Sequence, residues 1–447
     1  MPEAARYASH LAAVQTQHAV ALQRSEADVL ILDAGQHGYH FRDDQAQTFR
    51  SNPLLNYWLP LIDQESHVLI WRPGNKPVLL YFQPADYWHL PPAAPAGDWV
   101  QHFDVRIISS APALQAAVTE LAGGRALYLG TRPALLAEHD RAANHAALIN
   151  PAVALDYLEF QRAAKSPYEV ECMRRATAMA VLGHRAAAAE FARGGSEYSI
   201  HLAYLQASQQ TERDLPYGNI VALNEHAGVL HYQHQSQAQP QTRHSFLIDA
   251  GARQAGYAAD ITRTYAATTG LFADLVQGLD DAQRRLIEQI KLGMPYLELH
   301  EQAHRMTAEL LCAKQVLRCS PDEAYAQGLT RVFLPHGLGH LLGLQTHDVG
   351  GHMTDDKGGI APPPEHYASL RNTRRVAVGQ VFTIEPGIYF IPMLLEPLRA
   401  QNDARIDWRA IDALLPCGGI RIEDNVHVLA DGVENLTRDA FARSAHI

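Results

Sequence analysis

Residues 381–390 read VFTIEPGIYF, a β-branched and aromatic run with one carboxylate, Glu385, set in its middle. Val, Phe, Thr, Ile and Tyr suit a half-buried strand, and the Pro-Gly that follows Glu385 marks a turn or a break. An unpaired carboxylate buried in such a strand costs several kcal/mol. The pattern recurs in FLIDAG (246–251), AADITRTY (258–265) and IRIEDNVHV (420–428), which carry Asp249, Asp260 and Glu423. Each acid alone has an ordinary reading as an edge residue, a turn-former or a salt-bridge partner. Together they need a shared compensation, and two divalent cations supply it, because four carboxylates and two dications sum to zero. Oxygen-rich ligation with one imidazole suits Mn²⁺, Co²⁺, Fe²⁺ or Zn²⁺.

The imidazole has several candidate sources. Residues 335–352 read PHGLGHLLGLQTHDVGGH, with His336, His340, His347 and His352 at uneven spacings that neither establish nor exclude a four-histidine cluster. His336 and His340 would share a helical face, but Gly337 and Gly339 favour a loop or a strand. From Gly343 to Gln380 the chain is rich in Gly, Pro, His and Asp. Strands resume directly afterwards, so this stretch reads as a long ordered loop beside a site.

Upstream, the first third alternates β-rich runs with helical segments. ADVLILDAG (27–35) and RALYLG (125–130) read as strands, and HVLIWRPGNKPVLLYF (67–82) reads as a hairpin turning at Pro-Gly-Asn. This predicts an α/β domain over 1–160. Ser166, Pro167 and Glu169 then form an S-x-x-E capping box with Pro at the first helical position, opening a helix that Gly194 and Gly195 stop. A second domain over 161–447 follows. Its pattern predicts helices at 196–210, 280–292 and 297–316, and strands at 219–232, 245–265, 381–390 and 420–429.

The ordered series FLIDAG, ADITRTY, PHGLGHLLGLQTHD, TIEPGIYF and GGIRIEDN resembles the proline-specific dinuclear metallopeptidases. YGNIVALNEHAGVLHY (217–232) narrows the likeness to prolidases, most closely the bacterial Xaa-Pro dipeptidases. The resemblance implies an α/β N-terminal domain and an α+β "pita-bread" catalytic domain, an antiparallel sheet flanked by helices. It implies five metal ligands: Asp260 and Glu423 bridging two ions, Asp249 on one, and His340 with Glu385 on the other. Mn²⁺ is the implied metal, and a hydroxide bridging the ions the implied nucleophile. His336 and His347 match substrate-side histidines, His347 as oxyanion stabiliser, and Glu385 matches the proton shuttle. His231 and Arg371 match residues that hold the C-terminal part of the substrate, Arg371 through its free carboxylate. Arg421, placed with them, lies two residues before Glu423 on the same strand face and supports it. His352 has no counterpart, and a local hydrogen bond or exposure is expected for it. Read without the resemblance, Arg371 in LRNTRR is a surface arginine.

The implied reaction is hydrolysis of dipeptides ending in proline, with side activity on organophosphorus compounds. The alternative is aminopeptidase P, which shares the ligand types but takes longer peptides. A metal-free binding domain of the same fold belongs to another class, and the intact ligand set speaks against it. Prolidases commonly form homodimers, and SNPLLNYWLP (51–60) is a candidate to reach a partner's site, with core packing as the plain reading.

Bulk properties agree. The 447 residues are 47% hydrophobic, enough for large cores, and acids exceed bases by eleven, 48 against 37. No basic cluster interleaved with aromatics marks a nucleic-acid surface. The four cysteines show no C-x-x-C spacing, and neither a signal-peptide run nor a membrane span is evident, so a cytoplasmic enzyme is expected.

Overall fold

The computed structural model describes residues 2–143 and 147–444. At 166–169 the capping box is formed: the Ser166 backbone N–H donates to Glu169 Oε2 (2.8 Å), and the Glu169 N–H donates to Ser166 Oγ (3.4 Å). The helix it opens runs Pro167–Arg193 and stops before Gly194, whose φ of 97° ends it. The chain forms two units, one of Met1–Arg162 with Ser166–Glu169 and Asp355–Gly359, the other of Ala163–Lys165, Val170–Thr354 and Ile360–Ile447.

The first unit is built on a six-stranded mixed sheet in the order β4-β3-β2-β1-β5-β6. The strands are β1 (Val29–Asp33), β2 (Val68–Trp71), β3 (Val78–Phe82), β4 (Asp104–Ile108), β5 (Ala126–Leu129) and β6 (Leu148–Ile149). The β2–β3 pair is the antiparallel hairpin expected from Pro-Gly-Asn, and β5 and β6 extend the sheet in parallel from β1. Val29, Ile31, Val68, Ile70, Leu80 and Tyr128 form its core with Leu114 and Val118 of the helix Ala111–Leu121. The segment 51–60 is not a surface arm. Leu55, Tyr57, Trp58 and Leu59 are buried, Tyr7 Oη donates to the Trp58 carbonyl (2.7 Å), and the Trp58 ring meets Trp71 edge-on. Its apolar side chains stabilise this unit's own core. The exposed large apolar groups lie elsewhere, at Tyr39, Phe41, Tyr87, Trp88 and Leu90.

In the second unit every ladder is antiparallel. Strands β7 (Ile220–Leu223), β8 (Ser245–Asp249) and β11 (Thr262–Ala266) pair in the order β11-β8-β7, and β9 (Arg253–Gln254) pairs with β10 (Tyr257–Ala258). β12 (Val381–Ile384), β15 (Asp424–Val428) and β16 (Val433–Asn435) form a second set, and β13 (Gly387–Tyr389) pairs with β14 (Gly419–Arg421). Helices Leu271–Glu288 and Tyr296–Ala313 pack against these strands, through Leu286, Tyr296 and Leu299 beside Phe382, Ile384 and Val426.

Three expectations are corrected. The carboxylates do not sit in the middle of strands. Asp249 ends β8, Asp260 falls between β10 and β11, Glu385 between β12 and β13, and Glu423 between β14 and β15. Pro386, with no N–H to donate, breaks the first of these two pairs of strands where pairing passes from β15 to β14. The strand expected at 219–232 is only Ile220–Leu223, and a 3-10 turn at Asn224–Gly228 follows. The helix expected at 280–292 begins at Leu271, because Gly278 does not break it: a Cβ there would lie 2.4 Å from Leu310, so the glycine allows a close helix contact.

Candidate metal and substrate site

Strand breaks aim the acids at one place. Asp249 lies opposite Thr262 in the β8–β11 ladder, and a single bridge joins Thr262 to Glu423. Residues 338–342 run extended along β12, with the Glu385 N–H donating to the Leu338 carbonyl (2.8 Å) and the Thr383 N–H to that of His340 (3.0 Å). This is the strand-like alternative for the segment, and Gly339 makes it possible, since a Cβ there would meet the Thr383 carbonyl oxygen at 2.2 Å.

One pocket of about 250 Å³ is lined by Asp249, Asp260, His340, Glu385 and Glu423, and also by His231, His336, His347, Arg371 and Arg421. Every residue singled out from the sequence for ligation, catalysis or substrate contact therefore borders the same space. His352 does not; its Nε2 is 2.9 Å from the Leu370 carbonyl oxygen, a local hydrogen bond within the long loop. That loop also delivers His347, Ser369 and Arg371 to the rim.

Asp260, His340 and Glu423 each offer a ligand atom, all within 4.8 Å of one another. His340 Nδ1 is 2.9 Å from the Leu341 carbonyl oxygen, which fixes a proton there, so that the ring in its neutral form offers the Nε2 lone pair to a metal. Nε2 lies 3.5 Å from both Asp260 Oδ2 and Glu385 Oε1. Burial and the like charges of Asp260, Glu385 and Asp249 push Glu423 well above the usual carboxylate range. Burial raises Asp249, with Arg421 opposing, and pushes Glu385 up to about 7, with His340 opposing. Burial also raises Asp260, but its hydrogen bond with His340 and that ring's charge outweigh it and hold Asp260 low. So many crowded buried acids keep their charge only with cations among them, and the donor set fits divalent ions.

Behind the candidate ligands stands a polar frame. The Arg421 guanidinium donates from Nη2 to Asp249 Oδ2 (2.7 Å), from Nη1 to Tyr389 Oη (2.7 Å) and from Nε to Thr262 Oγ1 (3.2 Å). Its donors are thus turned to the protein, holding Asp249. Thr262 Oγ1 in turn donates a hydrogen bond to Glu423 Oε2 (2.6 Å). Tyr389 Oη lies 3.0 Å from His336 Nε2, and His336 Nδ1 lies 2.8 Å from the Gly337 carbonyl oxygen. Burial and Arg421 lower His336 to about 3, and burial with His340 lowers His347 to about 4, so both rings are neutral near pH 7. His347 meets the His340 ring edge-on at 4.5 Å. Arg371 and His231 are exposed at the rim.

Sequence reasoning missed three hydroxyls. Tyr217 Oη contacts Asp249 Oδ1 (2.7 Å) and Asp260 Oδ1, Thr262 supports Glu423, and Tyr389 links Arg421 to His336. Thr262 was within reach of a period-two reading, standing two residues after Asp260; Tyr217 opens the stretch 217–232, but nothing around it marks its hydroxyl for the site.

Comparison with known proteins finds two family models that match successive stretches of the chain. The model of metallopeptidase family M24 matches residues 171–430, and that of the Xaa-Pro dipeptidase N-terminal domain matches residues 5–160. The chain is 46% identical over 443 residues to a protein of Aeromonas hydrophila named Xaa-Pro dipeptidase, covering 97% of this chain and 98% of that one. It is 44% identical over 438 residues to the Xaa-Pro dipeptidase of Xanthomonas euvesicatoria, covering 98% of each. Among solved structures it resembles Pseudomonas aeruginosa aminopeptidase PepP, with a TM-score of 0.74, 25% identity and coverage of 100% of this chain and 99% of that one. Zn-substituted Escherichia coli aminopeptidase P in complex with product has a TM-score of 0.73 and 21% identity, with the same coverage.

Proposed function

Because the chain belongs to metallopeptidase family M24 and to its Xaa-Pro dipeptidases, with the pita-bread fold in its catalytic half, we propose that it releases proline from Xaa-Pro dipeptides in the pocket between Asp249 and Glu423. One observation carries the reading: the ten residues matched to ligand, catalytic and substrate roles border a single pocket. Asp249, Asp260, His340, Glu385 and Glu423 would hold two divalent ions, with Mn²⁺ the favoured metal. When bound, these ions supply Lewis acidity and an activated water.

The chain's own residues do the rest. The bond to proline is a tertiary amide without an N–H, so a site that required that hydrogen would fail on it. His347 donates an N–H to the developing oxyanion, and His336 lines the substrate side, oriented by Tyr389. Glu385 carries the proton to the leaving proline nitrogen. Arg371 takes the free C-terminal carboxylate with His231 beside it, and this limits length: a carboxylate held at the rim admits two residues. The pocket's small volume supports that limit.

A homodimer is proposed from the exposed Tyr39, Phe41, Tyr87, Trp88 and Leu90. A cytoplasmic setting is proposed from four cysteines that form no disulfide among the described residues. Hydrolysis of organophosphorus fluorides is proposed as a side activity, since a tetrahedral phosphoryl centre mimics the tetrahedral intermediate; fluoride release from such an ester tests it. The main experiment is Mn²⁺-dependent proline release from Gly-Pro, compared with Gly-Ala and Gly-Pro-Ala. Gly-Pro is expected to be the preferred substrate, and dominant cleavage of the tripeptide would replace the reading with an aminopeptidase.

A further inference from the structure

We infer that Glu197, outside the pocket, is a positioning residue that clamps the loop 224–236 and so sets where His231 stands; this rests on the substrate role proposed for His231. Glu197 is the first residue of the helix Glu197–Ser208, behind the N-cap Ser196, and its carboxylate is buried. Four donors converge on it. Oε1 accepts from the Leu223 N–H (2.9 Å) and from His226 Nδ1 (2.7 Å). Oε2 accepts from Tyr232 Oη (2.8 Å) and from the Ser236 N–H (2.8 Å).

These donors bracket the loop. Leu223 is the residue before it, His226 lies in its opening turn, Tyr232 follows His231 directly, and Ser236 closes it. The His226 and Tyr232 rings stack at 4.5 Å over the same carboxylate. Tyr232 is buried, whereas its neighbour His231 in the turn is exposed and lines the pocket. Asn224 pins the entrance independently, accepting from the His244 N–H (2.7 Å) and donating to the Thr242 carbonyl (2.7 Å).

The chemistry requires a carboxylate. An ionised Glu accepts at both oxygens and donates nothing, which matches four donors, and the helix N-terminus favours its charge. A glutamine can turn its NH₂ towards Tyr232, whose hydroxyl is able to accept, or towards His226, whose other tautomer is able to accept. In either pose the NH₂ also faces a backbone N–H, Ser236 or Leu223, that can only donate.

The test compares the full-length Mn²⁺-loaded protein with Glu197→Gln and with Tyr232→Phe, the milder change that leaves three donors. KM for Gly-Pro is expected to rise about tenfold in the first and about threefold in the second, with kcat within about twofold, as expected when uniform binding is lost. Bound metal should not change, and His231→Ala combined with Glu197→Gln should be no worse in KM than His231→Ala alone. Full additivity in that pair, an unchanged KM in both single variants, or loss of kcat together with metal would each overturn the clamp. Amide hydrogen exchange across 229–236 reads the clamp without substrate: faster exchange in Glu197→Gln is expected, and unchanged exchange overturns it. Wild-type turnover of Gly-Pro reports on the activity reading separately.

Discussion

Thr262 shows how much of a metal site is made by residues that touch no metal. Its hydroxyl donates to Glu423 Oε2 at 2.6 Å and accepts from Arg421 Nε, so it orients a bridging candidate and ties it to the group that holds Asp249. Thr262→Val keeps the shape and removes the donor. Losing such a partner typically costs about 10- to 100-fold in metal affinity. The expected result is weaker Mn²⁺ binding by calorimetry with the fold intact, and unchanged affinity would remove Thr262 from the frame. Arg371 is the opposite case, an exposed side chain on the pocket's rim whose proposed work is on substrate. Arg371→Ala should raise KM for Gly-Pro by about 10-fold or more, the scale of a lost hydrogen bond to a charged group. Bound metal should stay near the wild-type amount, and an unchanged KM would take Arg371 out of the carboxylate role.

Elements show which kinds of sequence signal survive folding. The helix Pro167–Arg193 was legible from one residue before its start to its end, because its capping box, its Pro and its terminating Gly-Gly are local chemistry. The break after Glu385 was marked by its Pro-Gly, but those at Asp260 and Glu423 were not, because which ladder a residue joins depends on segments far away in sequence. The long N-terminal helix Glu3–Arg24 carries a buried His18 that makes its own prediction. His18 Nδ1 is 2.9 Å from the Val14 carbonyl oxygen, and its Nε2 accepts from Trp58 Nε1 at 3.3 Å, so the neutral ring is satisfied at both nitrogens. Burial lowers its pKa from 6.5 to about 4. Between those values the unfolded chain takes up a proton that the folded chain refuses, so stability falls as pH falls through this window and is unaffected above it. The effect is on the order of 3 kcal/mol. Tm should therefore drop between pH 6.5 and pH 4, and less steeply in His18→Phe, which starts lower at neutral pH for want of the Trp58 acceptor. Parallel Tm curves for the two proteins would show that His18 does not contribute.

At the scale of the whole molecule, the pocket draws on residues from His231 to Glu423, a grouping that composition and spacing could not reach. The four acids in apolar runs announced a charged interior, but the choice of His340 over its three neighbours came from resemblance to a family. Tyr217, Thr262 and Tyr389 escaped because hydroxyls that support a site look like any others until folding brings them to it. The segment 51–60 was too apolar to tell a core from an interface, and folding assigned it to the core. The homodimer proposed above would use other side chains. Phe41 is 93% exposed and Leu90 96% exposed, with Tyr87, Trp88 and Tyr39 successively less open. Rings left in water lose about 25 cal/mol for each Å² of apolar area that a partner could cover, which favours association through this group. Replacing both Trp88→Glu and Leu90→Glu puts two carboxylates into any such contact, where leaving water unpaired is costly. Sedimentation velocity should show a dimer for the wild type and a monomer for the double variant, with the Tm of each protein close because both side chains are already exposed. A variant that stays dimeric would move the interface away from Trp88 and Leu90.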